Sequence, residues 1–366
     1  MSSGNVNYDS ILSTTLANYR TTLEDNVFTA RPLVAWLKRK DKIRMVDGGA
    51  KIVVPLMYAQ NQAAGSYSGY DTLPLTASAG ISAAEYPWKQ FAATIAINGL
   101  EEAENSGQEA IIDLLESKIT QAEETMAEQM DVMFLSDGSG NSGKDWWGLK
   151  AIIDATDVNQ NGSPVGNISL GISVEPVAAT QPTQNQWWAS YVDYGTGGVC
   201  ANQTVAINGV NQVVPQCYAP AIVTDTALTL VDMAHAYNLA SRGSDAPDFG
   251  MGGQRIFEKY ESLLTPQLRF EDNTTADGGF QNLLFKTAPI TFDVNLVDYT
   301  VNAQACNSLY FLNSKYIKLV GHKSKWFTNT PFKMAPNQDA RYAQILAYGN
   351  LTISNRMRHA LLLNRY

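Results

Sequence analysis

The segment Gly138–Lys144 reads GSGNSGK and fits the first seven positions of the phosphate-binding loop GxxxxGK[ST]. In that loop, backbone N–H groups surround the phosphates, the lysine reaches them, and a serine or threonine hydroxyl binds Mg²⁺. Here Asp145 occupies the hydroxyl position, and the residues before the segment repeat at helical rather than strand spacing. We therefore interpret the segment as a turn after a helix and not as a nucleotide site.

The same turn begins like a calcium-binding loop, because Asp137, Ser139 and Asn141 alternate with glycines. A calcium loop of this type needs a bidentate glutamate at its twelfth position, where this chain has Gly148. The sequence therefore does not predict a calcium site.

Histidines and carboxylates give no catalytic pattern either. The three histidines, His235, His322 and His359, form none of the spacings that bind zinc. We expect His235 to be a hydrogen-bonded core residue, because it shares the apolar face of a predicted helix with Leu228, Val231 and Leu239. In GSYSG, Tyr67 occupies the place of a nucleophilic serine. No spacing singles out two carboxylates for acid/base work, so we expect no catalytic site, cofactor or metal, and no enzyme.

Composition supports a globular protein. The chain has 366 residues, of which 45% are hydrophobic and 17% charged, and its net charge is −9. This composition excludes wholesale disorder, and the negative charge argues against a surface that clamps nucleic acid throughout. Basic residues nevertheless cluster at one place: Lys38, Arg39, Lys40, Lys42 and Arg44. The cluster is interpreted either as a solvated turn or as a contact with nucleic acid or an acidic neighbouring subunit.

The three cysteines, Cys200, Cys217 and Cys306, are too few for a disulfide scaffold and lack CxxC spacing. We expect synthesis in a reducing compartment, and whether Cys200 and Cys217 pair stays open. No apolar run approaches the roughly 18 residues that cross a bilayer, and the first thirty residues lack the pattern of a signal peptide. The sequence thus predicts neither secretion nor membrane binding.

Two strand patterns flank a long, small-residue-rich segment. Residues Lys51–Tyr58 and Trp88–Ile97 read as strands that can pair antiparallel. Connections this long are unusual inside a compact domain, so we expect the segment to project from the body. Apolar side chains near its tip predict a partner surface: Tyr67, Tyr70, Leu73 and Leu75.

The remaining patterns predict a mixed α+β fold. A helix is expected from Tyr8 to Val27, and a longer one from Ser106 to Leu135 has an apolar face rich in methionine and an acidic face. Residues Asp154–Val223 read as an insertion or strand-rich subdomain. Two helices follow, one capped by Asp225 and one over Gln254–Leu264, and the last hundred residues read mainly as strands, ending in the alternating stretch Arg341–Leu363.

This order of parts resembles the major capsid protein family of tailed bacteriophages, with the Hong Kong 97-like capsid fold. The turn Leu135–Ile153 is similar to the family's glycine-rich stretch ending in Gly-Leu, and weaker similarities follow in AHAYNLASRG, GFQNLLFKTAPITFD, LYFLN and GNLTISNRMRHALLL. The resemblance implies six parts. They are an N-terminal arm at 1–49, an E-loop at 50–98, a spine helix and start of the peripheral domain at 99–153, the insertion at 154–223, an axial domain at 224–325, and a return to the peripheral domain at 326–366.

The resemblance also implies a function. Members of the family self-assemble as hexamers and pentamers into an icosahedral head around double-stranded DNA, with a portal and, in some cases, scaffolding or cement proteins. The chain would then be made in the host cytoplasm and reside in the virion, with E-loops lying across adjacent subunits and non-specific contact with DNA. Some relatives weld their shells through an E-loop lysine, but Gln60–Trp88 contains no lysine, so we do not expect that cross-link.

Two alternatives stay open. One is an encapsulin-like cellular nanocompartment shell of the same fold, which would enclose cargo enzymes in place of DNA. The other, from a different class, is a soluble carbohydrate hydrolase that uses paired carboxylates. The contents of purified particles distinguish the first alternative, and the size of the purified protein distinguishes the second.

Overall fold

The computed structural model describes residues 31–57, 65–72, 81–104, 108–153, 158–159, 163–164, 191–193, 199–207, 210–218, 228–264, 282–296, 299–301, 304–334 and 338–364. The helix predicted over Tyr8–Val27 lies outside these residues, as do Asp225, Leu73 and Leu75.

The longest described helix, Gln108–Leu135, has 28 residues and confirms the predicted helix to within two residues at its start. We call it the spine helix. Its predicted apolar face is buried at Ile119, Met126, Met130 and Met133. The acidic face is not uniformly solvated as expected, because Asp131 is buried. The other described helices are Pro32–Arg39, Gly99–Glu104, Leu149–Ile152, Leu230–Ala240 and Gln254–Leu263. The segment Gly140–Gly143 is a turn, because Asn141 and Ser142 have positive φ.

A first sheet of six strands packs beside the spine helix. Its strands are β1 (Ile43–Val46), β4 (Lys89–Asn98), β15 (Ile317–His322), β16 (Thr328–Asn329), β17 (Lys333–Met334) and β18 (Ala340–Ile353). The long strand β18 is central: it pairs antiparallel with β15, β16, β17 and β4, whereas β1 pairs parallel with β15. Alternating side chains of β18, among them Ala343, Ile345 and Ala347, enter the core.

A separate hairpin projects between β1 and β4 in the sequence. Its strands β2 (Ile52–Met57) and β3 (Ile81–Tyr86) pair antiparallel; we call these strands, with the segment between them, the E-loop hairpin. The predicted pairing of the first strand with Trp88–Ile97 is wrong, because that second pattern forms β4 and pairs with β18 instead. Pro87 lies between β3 and β4 and lacks the N–H that a continuous ladder would need.

A second sheet of seven strands forms the other half of the described body. Its members are β7 (Tyr191–Asp193), β10 (Phe249–Gly252), β11 (Asn282–Phe285), β12 (Ala288–Phe292), β13 (Tyr299–Val301), β14 (Gln304–Leu312) and β19 (Ala360–Asn364). Helices Leu230–Ala240 and Gln254–Leu263 pack on it through Met233, Tyr237 and Phe257. Sheets and helices are thus combined as the α+β class requires.

The helix Leu230–Ala240 begins one residue after Thr229, whose hydroxyl accepts the N–H of Asp232 while the Asp232 carboxylate accepts the N–H of Thr229. This capping box satisfies two backbone N–H groups at the start of the helix. The predicted apolar face is wrong at Val231 and His235, which are exposed, and right at Leu228, which is buried. The helix buries Met233, Ala236, Tyr237 and Ala240. The core histidine is instead His359, which is fully buried.

The alternating stretch predicted over Arg341–Leu363 is divided between the two sheets, since β18 lies in the first and β19 in the second. A short turn at Arg356–Arg358 separates them. The buried Arg356 fixes this turn by donating from Nε to the carbonyl of Ile152, 2.6 Å away.

Two smaller hairpins lie within the predicted insertion. One pairs β5 (Val158–Asn159) with β6 (Ser163–Pro164), and the other pairs β8 (Val199–Ile207) with β9 (Val210–Tyr218). The division of the chain into six parts stays a prediction.

Candidate assembly surface

The root of the E-loop hairpin is held by buried hydrogen bonds to β18. The Tyr86 hydroxyl donates to the carbonyl of Ile353 (2.8 Å) and accepts the N–H of the same residue (3.2 Å). Burial raises the pKa of Tyr86 far above its usual value, so the hydroxyl keeps its proton and stays a donor. The Asn350 side chain donates to the Pro87 carbonyl (3.0 Å) and accepts the Trp147 N–H (3.0 Å). The direction in which the hairpin leaves the body is therefore fixed.

The two faces of the hairpin differ in burial. Ile52, Leu56 and Ala84 are buried on one face. On the other face, Met57 and Ile81 lie directly opposite each other and are 83% and 77% exposed. Alternation along a strand places such residues on one side, so the hairpin presents an apolar stripe to solvent.

The described part of the tip, residues 65–72, is exposed throughout. Asp71 forms a local turn by accepting the Ser68 N–H through its carboxylate (2.8 Å), while its own N–H bonds the Ser68 carbonyl. Tyr67 and Tyr70 are 67% and 106% exposed. The structure thus describes two of the four predicted tip residues, and both present aromatic rings to water.

The basic cluster lies where the first helix meets the first sheet. Lys38 and Arg39 end the helix Pro32–Arg39, and Arg44 lies in β1, an edge strand next to β15. Trp36 of this helix stacks on Phe249 with ring centroids 4.7 Å apart, which anchors the helix to the second half of the body. Lys40 forms an ion pair with Asp248 at 3.3 Å, a partner that the sequence pattern did not indicate.

Lys42 is half-buried and Arg44 is exposed. The five basic residues thus occupy one continuous stretch from the helix end into the edge strand, and within it Lys40 is held by the Asp248 carboxylate.

The glycine-rich turn follows the spine helix, as the sequence interpretation required. Asp137 accepts the N–H and the hydroxyl of Ser139 at 2.9 and 2.7 Å, and these bonds hold the pKa of Asp137 below its usual value. The charged Asp137 carboxylate thus accepts hydrogen bonds from within the same turn. Gly148 then crosses the end of the spine helix, and Trp146 is buried in the core against Phe134. The prediction that a turn follows the long helix here is confirmed.

A cleft of about 510 Å³ lies between this turn and the first sheet. Trp88, Phe91 and Tyr348 line it together with Lys89 and Lys144, and Lys89 Nζ donates to the carbonyl of Gly143. Among the described residues that line it are aromatic, amide and ammonium groups and no carboxylate. Such a cleft does not offer the paired acids that glycoside hydrolysis uses.

Two carboxylates, Asp131 and Asp293, do interact closely, but both are buried. Asn295 Nδ2 donates to Asp131 Oδ2 at 2.9 Å, and Arg31 Nε lies 4.0 Å from the same oxygen. Burial, followed by the charge of Asp293, raises the pKa of Asp131 to about 6. The pair joins the spine helix to the end of β12 beneath the surface, where a sugar substrate has no access.

Among the described residues, His, Cys, Asp and Glu form no group of three or more that could hold a metal ion. None of the helices in the described ranges is long and apolar enough to span a membrane.

We compared the chain with known protein families, curated sequences and solved structures. No protein-family model and no curated protein sequence matches the chain. Among solved structures, the cyanophage A-1(L) capsid matches with a TM-score of 0.56 at 14% identity, over 93% of this chain and 92% of that one. The capsid of a native GTA particle matches with a TM-score of 0.53 at 11% identity, over 90% of each chain.

The chain has the phage capsid fold. The fold class expected from the sequence is therefore confirmed. The same fold occurs in the SrpI encapsulin complex of Synechococcus elongatus PCC 7942, which matches with a TM-score of 0.50 at 9% identity, over 89% of this chain and 86% of that one.

Proposed function

We propose that the protein is the major capsid protein of a tailed bacteriophage, a structural subunit that self-assembles into an icosahedral head around double-stranded DNA. The observation that carries the proposal is the E-loop hairpin of a capsid fold, fixed at its root and apolar on its exposed face and tip. Apolar surface of this kind is stabilised only when another molecule covers it. Because each copy carries the same hairpin, other copies are the natural partners.

The proposed contact is heterologous: the hairpin of one subunit covers the body of the next. Repeated heterologous contacts close into rings and shells when their rotation permits it. We accordingly propose hexamers and pentamers, a portal at one vertex, and scaffolding or cement proteins as further partners. The assembled protein would reside in the virion after synthesis in the host cytoplasm, and its role would be structural rather than catalytic.

The basic cluster is proposed as a non-specific contact with packaged DNA or with a neighbouring subunit. The charges of Arg39 and Arg44 lie at the surface, and Lys and Arg neutralise phosphates without reading sequence.

The E-loop tip variant tests the proposal. Serine at all four tip positions (Tyr67→Ser, Tyr70→Ser, Leu73→Ser, Leu75→Ser) removes apolar area that each contact would bury, at about 1.5–3 kcal/mol for each large side chain. We expect the assembled fraction in sedimentation to fall at least about tenfold, with an unchanged circular dichroism spectrum. The matched control, Tyr67→Phe with Tyr70→Phe, keeps the rings and should assemble. Normal shells from the serine variant would contradict the proposed contact.

The encapsulin likeness supports a second candidate, a cellular nanocompartment shell. The two candidates differ in what the shell contains. Nuclease-treated particles from the native source should yield protected double-stranded DNA if the shell is a phage head. Particles that contain one dominant cargo protein and no protected DNA would favour the nanocompartment.

A further inference from the structure

The structure and the sequence give the same register for the hairpin of β8 and β9. The two strands pair through nine consecutive positions, from Ile207 opposite Val210 to Val199 opposite Tyr218. The residues between them in the sequence are Asn208 and Gly209. Asn-Gly is the strongest short signal for a two-residue hairpin connection, and the loop length sets the register of the strands that follow.

This register places Cys200 directly opposite Cys217. Opposite positions in an antiparallel pair alternate between hydrogen-bonded and non-hydrogen-bonded pairs. In a two-residue hairpin, the pair next to the loop, here Ile207 and Val210, is hydrogen-bonded, and the Cys200–Cys217 pair falls seven steps later in the register. It is therefore a non-hydrogen-bonded pair, for which the Cα atoms lie about 4.5 Å apart.

Pro215 gives an independent check that the cysteine pair is of the non-hydrogen-bonded type. It lies opposite Asn202, two positions from the cysteine pair on both strands. Proline has no N–H and is tolerated in a strand where that group would face away from the partner, as it does in a non-hydrogen-bonded pair. Positions two apart share the same pair type, so Pro215 assigns the cysteine pair to the non-hydrogen-bonded class as well. Such pairs fall within the Cα separation of about 4.4–6.8 Å that a disulfide spans.

We propose that Cys200 and Cys217 form an intramolecular disulfide when the protein meets an oxidising environment, and that this bond staples the open end of the hairpin. The third cysteine, Cys306, lies on β14 opposite Tyr299 in a different sheet and takes no part. The proposal rests on the hairpin alone and holds whether or not the subunit builds a phage head.

The chemistry requires an oxidant, for which a small disulfide such as oxidised glutathione suffices. The thiolate of one cysteine attacks the glutathione disulfide, forms a mixed disulfide and releases one glutathione thiolate. The thiolate of the second cysteine attacks the protein sulfur of that mixed disulfide and releases the other glutathione. Two protein thiols lose two protons and two electrons, one S–S bond forms, and one glutathione disulfide becomes two thiols.

The sequence makes the test sharp, because no Lys or Arg lies between Lys150 and Arg242. Trypsin therefore leaves Cys200 and Cys217 on one peptide, residues 151–242, without Cys306. The full-length protein is incubated with oxidised glutathione, the remaining thiols are blocked with iodoacetamide, and the tryptic peptides are weighed without reduction. We expect the 151–242 peptide to be lighter by two hydrogens and unlabelled, and Cys306 to be labelled. Dithiothreitol treatment before blocking should restore two labels on that peptide.

The control shifts one cysteine by a single position, through Cys217→Ser combined with Tyr218→Cys, which moves the second thiol to the other face of β9. We expect the native pair to close at least about tenfold faster than this shifted pair, because the second exchange depends on the two sulfurs being held together. A native peptide that keeps two labels, carries glutathione, or links to a second copy would overturn the proposal. Equal rates in the native and shifted proteins would overturn it too.

Discussion

At Gly148 the chain passes so close to the end of the spine helix that no side chain fits. A Cβ atom there would lie 2.4 Å from the Met133 carbonyl oxygen and 2.5 Å from those of Phe134 and Ser136. These are backbone atoms that cannot rotate away, so a methyl group must displace the helix end or the turn. This steric requirement explains the glycine of the Gly-Leu pair that the sequence resemblance singled out.

We expect Gly148→Ala to lower the free energy of unfolding by about 1–3 kcal/mol, the usual cost of overpacking a tight site. Urea denaturation in the assembly-impaired tip background measures this without contributions from the shell. Gly65→Ala is the matched control, because a Cβ at Gly65 meets no atom within 4 Å. Equal stability of the Gly148→Ala variant and its parent would contradict the close approach.

His359 is fully buried, and its Nδ1 accepts the Asn313 N–H at 3.2 Å. Burial, followed by the charge of Arg356, lowers the pKa of His359 to about 3. The folded protein therefore holds this ring neutral, whereas the unfolded chain protonates it below about pH 6.5. Its contribution to stability is complete above that pH and is lost as the pH falls toward 3.

We expect His359→Asn, which keeps an acceptor for Asn313, to reduce this acid sensitivity. Between pH 6.5 and 4.5, the unfolding free energy of the parent should fall by about 2 kcal/mol more than that of the variant. The comparison is made as a difference because Asp131, whose pKa is raised to about 6, acts in the opposite direction in both proteins. His235→Asn, at an exposed position, is the control. Parallel pH profiles for parent and His359→Asn would contradict the neutral buried ring.

The basic stretch from the first helix into β1 gives a prediction about packaged DNA. Changing Lys38, Arg39, Lys40, Lys42 and Arg44 to glutamine should weaken binding of the protein to duplex DNA. The slope of log K against log salt concentration should fall by up to about 4.5, since each of five phosphate contacts contributes about 0.9. Lys333→Gln, at an exposed lysine on β17, is the control. An unchanged slope, with normal DNA retention in particles, would rule out the proposed DNA contact.

The spine helix was predictable because its apolar residues repeat with one period over many turns, so the pattern carries its own length and face. The strand that pairs with β2 was not predictable. Strand β3 reads ISAAEY, and its serine and alanines give little β-propensity, whereas the stronger pattern of β4 follows after Pro87. Local alternation identifies a strand but not its partner, and here β4 is matched by β18 across some 250 residues.

The features that the sequence could not give depend on distant contacts. The turn that divides the C-terminal strands is fixed by Arg356, whose acceptor is the carbonyl of Ile152. Asp248 likewise meets Lys40 only in the folded chain. For the assembly surface, the apolar tip was visible in the sequence, because Tyr67 and Tyr70 stand in a segment without core periodicity. The exposed stripe of Met57 and Ile81 was not, because it requires knowing which face of the hairpin the body covers.

At the scale of the whole molecule, the described apolar surface is of two kinds. One kind is enclosed by the two sheets, the spine helix and the shorter helices. The other kind is exposed on the E-loop hairpin, and it becomes buried only when another molecule binds there. Under the proposed function, assembly stabilises the folded protein, because binding to the folded state shifts the folding equilibrium toward it.

Electron cryomicroscopy of the purified full-length protein, after assembly at micromolar concentration, tests this account most directly. We predict closed shells in which residues 52–86 of each subunit lie across the body of its neighbour, with Met57, Tyr67 and Tyr70 buried at the contact. A stable monomer under the same conditions, with the hairpin in solvent or folded back against its own sheets, would contradict it.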